Sequence, residues 1–106
     1  MIISNNSLFA YFNIVFNELQ KKQFDEITFA NKNGECDFVV KKGLEYQAIQ
    51  VCYKLTTENN KREFGGFATI ENDVEINQKT IITYNQEMQD KNVTITPAWK
   101  YFWEDK

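Results

Sequence analysis

The apolar residues of this chain change their spacing along its length, and the change limits the folds open to it. From Ser7 to Gln20, Leu8, Phe12, Val15, Phe16 and Leu19 recur at spacings of three and four, which marks one face of a helix. Ser7 is its expected N-cap. From Glu26 the period drops to two. "EITFA" (26–30) alternates, and the "NKNG" that follows ends in Asn-Gly, the strongest short-range hairpin signal. "CDFVV" (36–40) is then a second strand and "YQAIQVCY" (46–53) a third, joined around Gly43. Thr56 or Thr57 caps a second helix carrying Phe64, Phe67 and Ala68. Gly65 and Gly66 weaken that helix by roughly 2 kcal/mol relative to an alanine pair. "KTIITY" (79–84) and "VTIT" (93–96) read as two more strands. Thr96 caps a closing helix, "PAWKYFW", with Pro97 at the first helical position and Trp99, Phe102 and Trp103 on one side. The predicted order is helix, three strands, helix, two strands, short C-terminal helix. That is an α/β chain with a mixed sheet of the α+β kind.

The 106 residues suit a single domain, 1–106, with one core. Nine Phe and five Tyr within a 42% hydrophobic composition argue against disorder. The formal net charge of −3 supplies no general attraction to phosphate, so nucleic-acid binding would need a local basic patch. No apolar run is long enough to span a membrane, and "MIISNNSLFAYF" lacks the basic-then-apolar pattern of a signal peptide. These features point to a cytoplasmic protein, in which the glycosylation patterns at Asn5 and Asn92 are idle. Cys36 and Cys52 form neither a disulfide framework nor a zinc motif. The chain has no histidine, which removes His-based triads, His general bases and the commonest zinc ligands. No linker, low-complexity segment or repeat divides it.

Four stretches carry a family resemblance: "YFNIVFNEL" (11–19), "NGECDFVV" (33–40), "IQVCYKL" (49–55) and "ITPAWKYF" (95–102). With them the chain resembles the C-terminal domain of unknown function found on many bacterial and archaeal AAA-type P-loop ATPases. That domain is similar in fold to the restriction-endonuclease-like superfamily, with its α-β-β-β-α-β core. The resemblance covers nearly the whole chain. It implies a nuclease-like accessory domain, the C-terminal part of a larger ATPase or the partner of an ATPase in a neighbouring chain. No Walker pattern occurs in these residues, so the ATPase itself lies outside them.

Active members of the superfamily hold a divalent metal with an acid on the second strand and a D/E-x-K pair on the third, often joined by a glutamate on the first helix. Carried over residue by residue, the strand acid falls on Asp37 and the helix glutamate on Glu18. The D/E-x-K positions fall on Gln50, Val51 and Cys52. Strand periodicity puts Gln50 and Cys52 on one face, as it does Glu35 and Asp37. The resemblance therefore implies a degenerate catalytic site of Glu18, Asp37, Gln50 and Cys52. Mg²⁺ prefers carboxylate and water oxygens, so Asp37 with Glu35 or Glu18 would give at most a weak site. No firm cofactor is expected. Cys52 cannot act as a fixed ammonium beside phosphate, and losing one such stabiliser costs about 2.7–4 kcal/mol of barrier.

The same residues have plainer readings. Acids beside an Asn-Gly turn are commonly solvated, Gln50 can satisfy itself inside a sheet, and Cys52 serves as a small core hydrophobe. Glu18 can pair with Lys21 or Lys22 on the helix surface. Phe9, Tyr11, Phe12 and Phe16 are more readily core than a base-stacking surface. Two functional classes stay open. One is a degenerate nuclease-like module with weak DNA or RNA binding through Lys32, Lys41, Lys42, Lys54, Lys61 and Arg62, around the hairpin mouth and the start of the second helix. For these the plain reading is a solvated rim and edge protection. The other is a protein-interaction or assembly module that docks on an ATPase, on itself as a homodimer, or on a partner. Within the nuclease-like class, an active metal-dependent nuclease is a further alternative.

Overall fold

A computed structural model describes residues 5–29, 38–71, 74–90 and 92–103, with side-chain surroundings for all of these but 5–9, 29, 69 and 70. The elements are α1 (Asn5–Lys21), β1 (Glu26–Phe29), β2 (Phe38–Lys42), β3 (Glu45–Val51), α2 (Asn60–Glu71), β4 (Gln78–Thr83), β5 (Met88–Asp90), β6 (Val93–Pro97) and α3 (Ala98–Trp103). The six strands form one mixed sheet in the order β1-β2-β3-β4-β6-β5. β1, β2 and β3 make an antiparallel meander. α2 then carries the chain back so that β4 runs parallel to β3, and β6 lies parallel to β4. β5 folds antiparallel onto β6 and ends the sheet.

Each helix is placed by its apolar face. Val15 and Leu19 of α1 are fully buried and pack on Phe38, Val40, Ile49 and Ile82. Phe12 and Phe16 stack on the Phe38 ring at 5.0 and 5.8 Å. α1 begins by Asn5, so Ser7 lies inside it and is not the cap. The opposite face of the sheet is covered by α2, whose Phe67 packs with Ala48, Cys52, Leu55, Ile81, Val93 and Ile95. Thr56 caps this helix from the turn before it: its Oγ accepts the Asn59 N–H at 3.2 Å while Asn59 Oδ1 accepts the Thr56 N–H at 2.7 Å. This is the reciprocal logic of a capping box. Ala68, expected on the buried face, is exposed, and a side chain at Gly65 would meet open space.

The β2–β3 turn is a two-residue loop, since Lys42 pairs with Glu45. Gly43 takes φ +62° at the first central position, as a type II′ turn requires. Leu44 sits exposed at the tip. The loop after α1 is fixed to this hairpin: Asp25 accepts the Gly43 N–H at 2.7 Å, and Lys42 donates to the Gln23 carbonyl at 3.2 Å.

Four expectations are corrected at the C-terminal end. Three strands follow α2, the extra one being β5, which pairs Met88 with Ile95 and Asp90 with Val93. Pro97 is the last residue of β6 and α3 begins at Ala98. Thr96 is buried, its hydroxyl near the Pro97 carbonyl, and does not cap the helix. Phe102 and Tyr101 turn inward against the α1 layer, while Trp99 and Trp103 are about half exposed, at 51% and 56%. The three expected on one side are thus divided.

The connections after β3 and β4 are fastened to each other. Gln86 accepts the Leu55 N–H at 2.6 Å and donates to the Leu55 carbonyl at 2.9 Å. Tyr84 N–H donates to the Tyr53 carbonyl at 3.0 Å. From the other side, the Tyr11 hydroxyl donates to the Thr83 carbonyl and accepts the Ala98 N–H. No helix among the described residues is long and apolar enough to cross a membrane.

Candidate functional site at the third strand

β3 is the central antiparallel-to-parallel junction of the sheet, with β2 on one side and β4 on the other. Alternation along it settles the faces. Ile49 and Val51 point into the α1 layer, while Ala48 and Cys52 point into the α2 layer, and Gln50 goes with the latter. The Gln50 side chain is buried at 3% exposure, and its amide donates to the Glu63 carbonyl of α2 at 2.9 Å. Gln50 therefore stitches the strand to the first turn of the helix that covers it. A buried amide satisfied in this way adds roughly 1 kcal/mol of net stability and costs more if its partner is removed.

Cys52 lies just past the end of β3, where its N–H donates to the Ile82 carbonyl at 2.9 Å. The thiol is 6% exposed, within the α2-side core, and accepts from the Asn59 amide at 3.7 Å. This is the environment of a small hydrophobe with a polar neighbour, not of a nucleophile open to solvent.

Glu18 does not join these groups. It is carried by α1, which packs on the other face of the sheet, and it pairs with Lys21 at 3.1 Å, one turn along the same helix. The geometry that puts Gln50 under α2 puts the first helix on the wrong side for its glutamate to approach. Asp37, Glu35 and Lys32 lie outside the described residues. Among the described residues, no cluster of three or more Asp, Glu, Cys or His is placed to hold a metal ion.

The basic residues expected to share one surface are separated. Lys41 and Lys42 end β2 beside the Gly43 turn, where the Lys41 ammonium lies 5.8 Å from the Tyr46 ring centre. Lys54, Lys61 and Arg62 follow the far end of β3 and the start of α2. At about 3.3 Å per residue, the strand between the two groups sets them on the order of 17 Å apart. Arg62 faces the Glu63 carboxylate at 3.4 Å.

Glu63 is the residue that sequence reasoning passed over. It reads as one charge among several in "NKREF", yet it is 7% exposed and lies in the first turn of α2. A carboxylate there is favoured by the helix dipole. The signal available was its position, four residues before Phe67, on the face that the helix buries.

At the same end of the sheet, Tyr11, Tyr53 and Tyr84 form an aromatic cluster, Tyr53 and Tyr84 stacking at 4.8 Å and Tyr11 meeting Tyr53 edge-on at 5.5 Å. Burial raises the Tyr11 hydroxyl above the ordinary phenol range, partly opposed by the Ala98 N–H. Tyr101 is pushed up to about 12 by burial and donates to Gln47 at 3.1 Å, with the Lys22 ammonium 5.0 Å from its ring centre.

No protein-family model matches the chain, and no solved structure matches it. An uncharacterized protein of Methanocaldococcus jannaschii is 34% identical over 103 residues, a match that takes in 84% of this chain. The chain spans 23% of that relative's length.

Proposed function

We propose that this chain is a catalytically degenerate, nuclease-like accessory domain of restriction-endonuclease-like architecture, serving a P-loop ATPase, with at most weak nucleic-acid binding. One observation carries the degenerate part of this reading: the Gln50 amide is spent on the backbone of α2. The position where a D/E-x-K site would place a metal carboxylate is thereby used as a strut, and the lysine position is a buried thiol in the core. The run of a helix, an antiparallel three-strand meander, a crossover helix and a parallel fourth strand supports the architectural part. The ATPase association rests on the sequence resemblance.

The test is cleavage and binding together. With Mg²⁺ or Mn²⁺ the protein leaves plasmid DNA and RNA intact, as it does with EDTA. Metal-dependent cleavage abolished by Asp37→Ala overturns the reading. Binding to a mixed nucleic-acid pool is micromolar at best and falls steeply with salt, because only a few lysines contribute. The double variant Gln50→Glu with Cys52→Lys restores the D/E-x-K pattern. It is expected to lose stability before it gains activity, since both new charges enter buried positions.

A second reading, a protein-interaction module, is favoured by the separation of the basic residues and by the half-exposed Trp99 and Trp103 on α3. Absence of nucleic-acid binding even at low salt leaves that reading in front.

A further inference from the structure

The outward side of α1 lacks the charge that a surface helix normally carries. Every charged residue of the chain lies from Glu18 onward, so residues 1–17 hold no Asp, Glu, Lys or Arg. Ala10, Ile14 and Asn17 follow one another at spacings of four and three and are all exposed, which places them on one face of the helix. Ile14 itself is 48% exposed.

This face continues onto the end of the sheet through Tyr11. The Tyr11 ring meets that of Tyr84 at 6.2 Å, and Tyr84 stays 52% exposed with its ring stacked on Tyr53. The Tyr11 hydroxyl accepts the Ala98 N–H, which brings up the first turn of α3 and the half-exposed Trp99. Trp103 lies one turn further along α3. The one charged side chain of that helix, Lys100, is paired with Glu87. Aromatic residues are enriched and charged ones depleted at the centres of protein–protein interfaces.

Charge and area together choose the occupant. A two-fold interface sets a patch against its own copy, so any unbalanced charge in it meets its like. Three turns of α1 without a charged side chain meet that condition. Half of each ring of Tyr84, Trp99 and Trp103, with Ile14, leaves on the order of 350 Å² of apolar surface. An interface at the lower end of the specific range takes about 600 Å² from each partner, just over half of it apolar. The two areas agree. We infer that the chain forms a two-fold homodimer through its α1–α3 face, with Ile14, Tyr84 and Trp99 at the contact. This rests on the interaction-module reading, for which it names the partner, and owes nothing to Gln50 or Cys52.

The experiment is sedimentation of the full chain from micromolar to millimolar concentration, with light scattering beside it. The expected result is a reversible monomer–dimer equilibrium with a dissociation constant in the tens of micromolar, as a contact of this size gives. Because the patch is uncharged the dimer persists as salt rises, the reverse of nucleic-acid binding through lysines. Ile14→Lys and Trp99→Ala each weaken association at least tenfold, with circular dichroism confirming the fold at these exposed positions. Leu44→Lys, at the 94% exposed hairpin tip outside the patch, leaves association unchanged. A chain that stays monomeric at every concentration overturns the dimer. So does association that survives both patch variants or falls equally with Leu44→Lys. The interaction-module reading fails by a different result, saturable and salt-sensitive binding of a mixed nucleic-acid pool by the same samples.

Discussion

The two faces of the sheet solve the same packing problem differently. The α1 side is filled by large rings and branched chains: Phe12, Phe16, Phe38, Val15, Leu19, Ile49 and Ile82. The α2 side has fewer rings: Phe67, with Phe64 packed at its margin, sits among Leu55, Ile81, Val93, Ile95 and the small Ala48 and Cys52. It also admits a buried amide, Gln50, and a buried acid, Glu63. On the α2 side the amide is satisfied by the helix backbone. The α1 side holds Thr80 at 1% exposure, in register with Ile49, and its hydroxyl has no hydrogen-bond partner among the described residues. Stacked rings fix α1, whereas α2 is fixed by fewer rings together with a directed bond. The difference teaches that a buried polar group can mark either a joint or a cost, and only its partner tells which.

The largest test of this contrast is Phe38→Ala, which removes the ring on which Phe12 and Phe16 stack. A loss of about 3–5 kcal/mol in urea unfolding is expected, and a loss under 1 kcal/mol would mean that the stacked rings do not set the α1 side. Next is alkaline stability. Burial raises Tyr101 to about 12, so the folded state holds its proton more tightly than the unfolded one. Stability is then fully present below about pH 10 and is lost as pH rises toward 12, by on the order of 2 kcal/mol. Tyr101→Phe removes that dependence, which denaturation midpoints across this range will show. Gln50→Ala on the other face costs about 1–2 kcal/mol through its lost hydrogen bond and the space it leaves. If the stitch to α2 matters, the amides of the first turn of α2 also exchange faster in this variant. The smallest effect has the opposite sign. Thr80→Val replaces an unpaired buried hydroxyl with a methyl of the same shape and raises stability by up to about 1 kcal/mol; a loss of stability would mean that the hydroxyl is satisfied in solution.

Most of the fold was legible because period and turn chemistry agree with the tertiary result. Leu19 and Val15 recur at helical spacing and are buried; Gly43 sits where the turn needs positive φ. β5 was not legible, since "MQD" has no alternation of its own and is a strand only because β6 is there to pair with it. Pro97 was misplaced for a related reason, as proline suits both the end of a strand and the first turn of a helix. At the site, alternation correctly put Gln50 and Cys52 together, opposite Ile49. It carried no information about which helix would lie over them, and so Glu18 was assigned to a face it does not reach. The lysines misled by their nearness in sequence. A seven-residue strand after a tight hairpin carries Lys54 to the far end from Lys41 and Lys42.

The double hydrogen bond between Gln86 and Leu55 has a consequence for how the molecule opens. Most slowly exchanging amides are protected by backbone ladders and are released when a strand separates. The Leu55 N–H is guarded by a side chain from 31 residues away, so its release reports on the connection that follows β4. Fluctuations of the loops after β3 and β4 should therefore be concerted, and the amides of 52–59 and 84–87 should share one opening free energy. Gln86→Ala would uncouple them, leaving each loop to fray on its own while the sheet beneath keeps its protection.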